Sequence, residues 1–169
     1  TVYIVVTEYC QQHGISGADG DDFLHRLQQE RQPGDDVGLA CERVWTSARR
    51  LTRPDGSNIE FCAILSQTMR EDRASLARAC AIFARGLKGN LVAEDRVGFR
   101  PASGECWRGG GFNDQHRRFF VVGKKYRVPG FLATSVHRHV CADFMGQAQV
   151  RGFPVVEWRI TFAAQGCKH

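Results

Sequence analysis

No apolar run in this sequence approaches the roughly 18 residues that a membrane-crossing helix requires, so the sequence predicts no span and no membrane partner. The opening Thr1-Val2-Tyr3-Ile4-Val5-Val6 lacks the basic flank and the length of a signal peptide, although a first residue other than Met leaves an upstream leader open. There is no basic block either. Arg49-Arg50, Arg117-Arg118 and Lys124-Lys125 are scattered pairs, and a net charge of +5 favours anionic partners only weakly. Aromatics interleave with arginine over 107–120, which permits a nucleic-acid-binding module, but no recognition motif supports one, so nucleic acid is not an expected partner. The seven cysteines include no C-x-x-C pair, which argues against a zinc ribbon. Their odd number and even scatter predict reduced thiols and a reducing compartment, the cytoplasm. No Gly-Lys-Ser/Thr follows a glycine run, so there is no P-loop. Internal repeats and low-complexity segments are also lacking.

What is present suits a single α+β domain. The 169 residues, 43% hydrophobic and 24% charged, are enough for a real core. The first 90 residues read as helices. Val2, Ile4 and Val6 alternate like a strand, but Gly14 followed by Ile15 looks like a helix stop with its apolar follower, which favours a helix up to His13. Asp21 or Asp22 is expected to cap a second helix running through Arg31, ended by Pro33-Gly34. Val37, Cys41, Val44, Ala48 and Leu51 keep a helical period in a third. "RPDG" at 53–56 is a turn, "SNIE" at 57–60 reads as a capping box, and Phe61, Ile64, Leu65 and Met69 follow on one face. Asp72 is expected to open another helix, with Leu76, Cys80, Phe83 and Leu87 on its apolar side and Gly89 as its stop. From Arg100 onward glycines and aromatics increase and strands are expected near 105–109, 118–122, 130–135 and 153–162. Helices followed by strands define the α+β class.

Three stretches could carry chemistry. In "WRGGG" Arg108 ends a strand and three glycines follow. Glycines let backbone N–H groups approach a ligand closely, and an adjacent guanidinium grips phosphate; the same residues also read as a glycine turn beside a surface arginine. In "FLATS" Thr134 and Ser135 end an apolar strand, where hydroxyls orient a ligand or a catalytic carboxylate, or satisfy their own turn. In "VHRHVC" His137 and Cys141 share a helix face while His139 points elsewhere. A zinc site there needs further ligands from Cys167 or His169, so no metal is expected, and the histidines read as rim residues with Cys141 in the core. Cys106 beside the glycines is conceivable as a nucleophile, but nothing singles out its base.

Arg108-Gly109, then Ala133-Thr134-Ser135, then the helix-like Val140-Cys141-Ala142-Asp143-Phe144, then a strand, in that order, resembles the ADP-ribosyltransferase family. The similar branch is the one with Arg, Ser-Thr-Ser and Glu-x-Glu signatures. The likeness covers about the last two-thirds of the chain. It implies a helical portion packed on a split mixed sheet with NAD between the halves, and a mono-ADP-ribosyltransferase that passes ADP-ribose to a protein acceptor. Arg108 would hold the phosphate and ribose of NAD, and Gly109 would meet the nicotinamide carboxamide through its backbone. Thr134 and Ser135 would orient the catalytic Glu, while Phe144, or else Phe131, would pack on the nicotinamide ring. Two departures follow. Ala133 replaces the first serine, and no Glu-x-Glu follows Ser135, where Glu157 is the sole glutamate. Glu157 is therefore expected to be a structural strand residue, and the chain to stop short of the catalytic strand. The rival expectation is a non-catalytic domain of this type that binds a nucleotide or a protein.

Overall fold

In a computed structural model the residues described are 1–92, 103–126, 128 and 130–162. Pro129, Cys167 and His169, and the shift of composition at Arg100, lie outside them. The protein is α+β, with seven helices and two antiparallel strand pairs among the described residues. It divides into two units, Thr1–Arg96 and Val97–His169.

In the first unit α1 (Val2–Gln12) buries Val5, Val6, Tyr9 and Cys10, positions that share a helical face, while Ile4 stays exposed. Helical spacing thus prevails over the alternation of Val2, Ile4 and Val6. The expected stop is present: Gly14 adopts φ +63°, and Ile15 N–H donates to Cys10 O at 2.9 Å. α2 (Gly17–Gln28) starts earlier than expected. Ser16, not Asp21 or Asp22, is its cap and accepts from Asp19 N–H at 3.1 Å. The two aspartates lie within the helix and are exposed. Asp36 caps α3 (Val37–Thr46) by accepting from Leu39 N–H at 2.8 Å.

The apolar period read through Leu51 does not continue as helix. α3 ends at Thr46, and Leu51 belongs to β1 (Arg50–Thr52), paired with β2 (Asn58–Glu60) around the expected 53–56 turn. "SNIE" is therefore a hairpin strand and not a capping box. Leu51 lies opposite Ile59, both buried, and α4 (Phe61–Arg70) begins at Glu60 without a side-chain cap. α5 (Ala77–Val92) starts five residues after Asp72, which takes φ +48°, and Gly89 does not end it. The predicted face does hold: Leu76, Cys80, Phe83 and Leu87 are buried, with Phe83 edge-on to Phe61 at 5.3 Å.

In the second unit β3 (Glu105–Gly111) pairs with β4 (Val155–Thr161) over seven residues. α6 (Asp114–Phe119) is a short turn of helix, and α7 (Val140–Val150) packs on the strand pair. Strands at 105–109 and 153–162 are present. The strand expected at 118–122 is instead the end of α6 and a turn, where Gly123 adopts φ +81°. Over 130–135 only Ser135 is bridged to a strand. The glycines after Arg108 are part of β3, not a loop. A Cβ on Gly109 would sit 2.3 Å from the Cys141 carbonyl oxygen, and one on Gly111 would sit 3.1 Å from Ala148 Cβ. Their bareness admits α7 against the strand.

Candidate ligand cleft on the second unit

β3 has two edges, and hydrogen bonding assigns its residues to them. Flanking the pair, Phe112 N–H donates to Pro154 O at 2.7 Å and Phe162 N–H donates to Gly104 O at 2.8 Å. Even-numbered residues of β3 therefore turn their backbone groups toward β4, and odd-numbered ones turn theirs to the other edge. On that other edge Trp107 and Ser135 exchange both bonds, each N–H donating to the opposite carbonyl at 2.8 Å. Gly109, two residues on, points its N–H and C=O along the same edge. Among the described residues no further strand continues that edge beyond Ser135.

Side chains alternate across the same strand. Arg108 stands on the face opposite Gly109, is exposed, and its Nη1 donates to Ala133 O at 2.6 Å. The guanidinium thus ties the "ATS" segment to β3 a second time. Ser135 Oγ accepts from His137 N–H at 3.0 Å, which is the hydroxyl closing its own turn. Thr134 is exposed.

A cleft of about 450 Å³ opens at this end of the unit. Its floor is Arg108 and the glycines 109–111, with Asn113 and Phe153 beside them. α7 contributes Phe144, Gln147 and Ala148, and Arg151 follows just past its end. The spacing 144, 147, 148, 151 is one helical face, so this wall was readable from sequence once the helix was fixed. Arg108 and Arg151 but no carboxylate line the cleft, with the Arg108 guanidinium engaged by Ala133 O, and an exposed Phe144 adds a flat apolar surface suited to covering a ring of an anionic ligand. Of the residues singled out from sequence, Arg108, Gly109 and Phe144 meet here; Thr134, Ser135 and Phe131 do not line it. A larger cleft of about 510 Å³ in the first unit holds none of them. There Arg26 pairs with Asp22 at 3.0 Å while its buried Nε has no hydrogen-bond partner among the described residues, and Arg53 donates to the Tyr9 and Ser57 hydroxyls.

Glu157 lies opposite Gly109 in the register. Both its oxygens accept from Arg138, Nε to Oε1 and Nη2 to Oε2, each at 2.8 Å. This bidentate pairing holds the Glu157 carboxyl below the usual carboxylate range. Arg138 also lies over the Trp107 ring at 5.0 Å, with Arg159 at 5.7 Å from the same ring and paired to Glu105. Sequence reading missed Arg138, which stands between two conspicuous histidines. His137 and His139 stack on each other at 5.5 Å, and Cys141 is buried under the strand pair. Among the described residues no three His, Cys, Asp or Glu side chains gather as a metal site. Cys106 is 2% exposed, closed to any substrate as a nucleophile. No described helix is long and apolar enough to cross a membrane. No family model, curated protein or solved structure matches the chain.

Proposed function

We propose that this chain carries the NAD-binding part of a mono-ADP-ribosyltransferase, an enzyme that cleaves the nicotinamide–ribose bond and transfers ADP-ribose to a protein side chain. The proposal extends to the fold: one domain over 1–169, whose helical part packs on a split mixed sheet. The observation that carries the reading is the two-way hydrogen bond between Trp107 and Ser135. It joins the "ATS" segment to the edge on which Gly109 presents its backbone groups, beside a cleft lined by Arg108, Arg151 and Phe144. In this reading Arg108 holds phosphate and ribose, Gly109 meets the carboxamide, and Thr134 and Ser135 brace the site. Phe144 is preferred over Phe131 for the nicotinamide because it lines the cleft. The six described cysteines are free thiols, which supports a reducing compartment such as the cytoplasm.

Bond cleavage makes an oxocarbenium-like sugar, which a preplaced carboxylate stabilises. Glu157 does not suit that task, since Arg138 takes both its oxygens. In this reading the chain binds NAD but, with the Glu157 carboxylate engaged in that pair, turns it over negligibly, and the same observation favours a second reading, a non-catalytic nucleotide- or protein-binding domain. The test is NAD binding by equilibrium dialysis together with nicotinamide release. Arg108→Ala should weaken binding by about 1.5–3 kcal/mol, the scale of one charge-assisted contact. Equal binding by Arg108→Ala and the parent sequence would sink the reading. Nicotinamide release at enzymatic rates would favour the enzyme over the pure binder.

A further inference from the structure

The segment between Ser135 and α7 has a fastener that no motif marks. Arg138 lies in that segment, outside both strands, and reaches Glu157 on β4 with a two-point ion pair while its guanidinium covers Trp107. Trp107 is the residue whose backbone holds Ser135, and Glu157 is the residue opposite Gly109. One side chain therefore contacts both strands next to the two positions where the cleft edge is set. Ser135 Oγ adds a bond to His137 N–H, so only a short turn separates the bridged residue from the clamp. The preceding stretch 130–134 belongs to no strand, and the exposed Arg108 ties it to β3 through Ala133 O.

We propose that Arg138 is a positioning residue: its pair with Glu157, laid over Trp107, fixes the register of the 133–139 segment against β3 and so sets where Thr134 and Ser135 stand relative to Arg108 and Gly109. It does not touch the ligand. The inference rests on the NAD reading only for its consequence on binding. The fork geometry matters, because lysine supplies the charge without the second bond.

Two readouts on the whole chain test it: amide hydrogen exchange at Trp107 and Ser135, and NAD affinity. Arg138→Gln and Glu157→Gln should each speed exchange at those two amides and weaken NAD roughly two- to five-fold, the range open to an exposed ion pair. The double variant should be no worse than Arg138→Gln alone, since Glu157 acts through Arg138. Exchanging the partners, Arg138→Glu with Glu157→Arg, should recover part of both effects, and Arg138→Lys less. Amides of Arg108 and Gly110, which face β4, should hold their rates and so separate loss of the clamp from loss of the fold. Parent-like exchange at Trp107 and Ser135 in Arg138→Gln would overturn the inference, as would additive effects in the double variant. Failure of the parent chain to bind NAD would remove the proposed function and leave the clamp to be judged on exchange alone.

Discussion

The two units are held together by different means. The first buries Phe23, Phe61, Leu27, Ile64, Leu65 and Leu87 almost completely, a core of large apolar side chains. The second buries only Cys106, Cys141 and Ala148 among its described apolar side chains, and Phe119, Phe144, Phe153 and Phe162 are each about half exposed. Its cohesion comes from a seven-residue ladder, a helix let down onto bare glycines, and ion pairs around Trp107. A unit of the first kind tolerates polar change at its surface and fails when its core is hollowed. A unit of the second kind is sensitive to single atoms where backbone meets backbone.

Hollowing the first unit has the largest expected effect. Phe61→Ala removes a ring with no exposed surface that packs edge-on against Phe83. It should cost about 3–5 kcal/mol, read as a lower denaturant midpoint for the helical signal. Phe144→Ala, by contrast, should change stability by less than about 0.5 kcal/mol, because that ring is more than half exposed. Its effect should fall on NAD binding. A stability loss at Phe144 equal to that at Phe61 would erase the distinction between the units.

Next is the backbone contact. Gly109→Ala places a methyl 2.3 Å from the Cys141 carbonyl oxygen, and neither partner is a flexible side chain. α7 must lift, at a cost of about 1–3 kcal/mol. Gly110→Ala meets nothing within 4 Å and should stay within about 0.5 kcal/mol of the parent in the same melt. If the two substitutions prove equal, the glycines are not there to seat the helix.

What the sequence disclosed follows the same division. Helical faces in the first unit were legible because large apolar side chains repeat at 3.6 residues, as at Leu76, Cys80, Phe83 and Leu87. Errors there fell on ends. Ser16 took the cap because an earlier start was open to the chain, and "SNIE" became a strand because Leu51 and Ile59 bury each other across a hairpin. In the second unit the glycine run looked like a loop, since sequence alone cannot show that β4 and α7 lie on either side of it. Arg108, Gly109 and Phe144 were candidates through the family resemblance, and all three line the cleft. Gln147 and Arg151 share the Phe144 helix face but were not singled out, and Arg138 was not, because its meaning depends on which strands it meets.

The smallest expected effect tests what Glu157 is for. Its carboxylate is held by Arg138, and that pairing keeps its folded-state pKa below the ordinary value. A carboxylate depressed in this way contributes stability that is present above its unfolded pKa and is lost as pH falls through the folded one. Glu157→Gln lacks that contribution at every pH. The stability gap between variant and parent should therefore be open at neutral pH and close on acidification, followed by thermal melts across the acid range. Arg159 and Glu105 form the neighbouring pair on the same face and remain in both proteins. Whatever residual nicotinamide release the parent shows at saturating NAD should be the same in both, because a positioning partner alters affinity and not the chemical step. A catalytic carboxylate would behave otherwise, with a loss of about 10²–10³ in rate. Such a loss would make Glu157 the group that stabilises the oxocarbenium, and the Arg138 pair a resting arrangement that substrate must break.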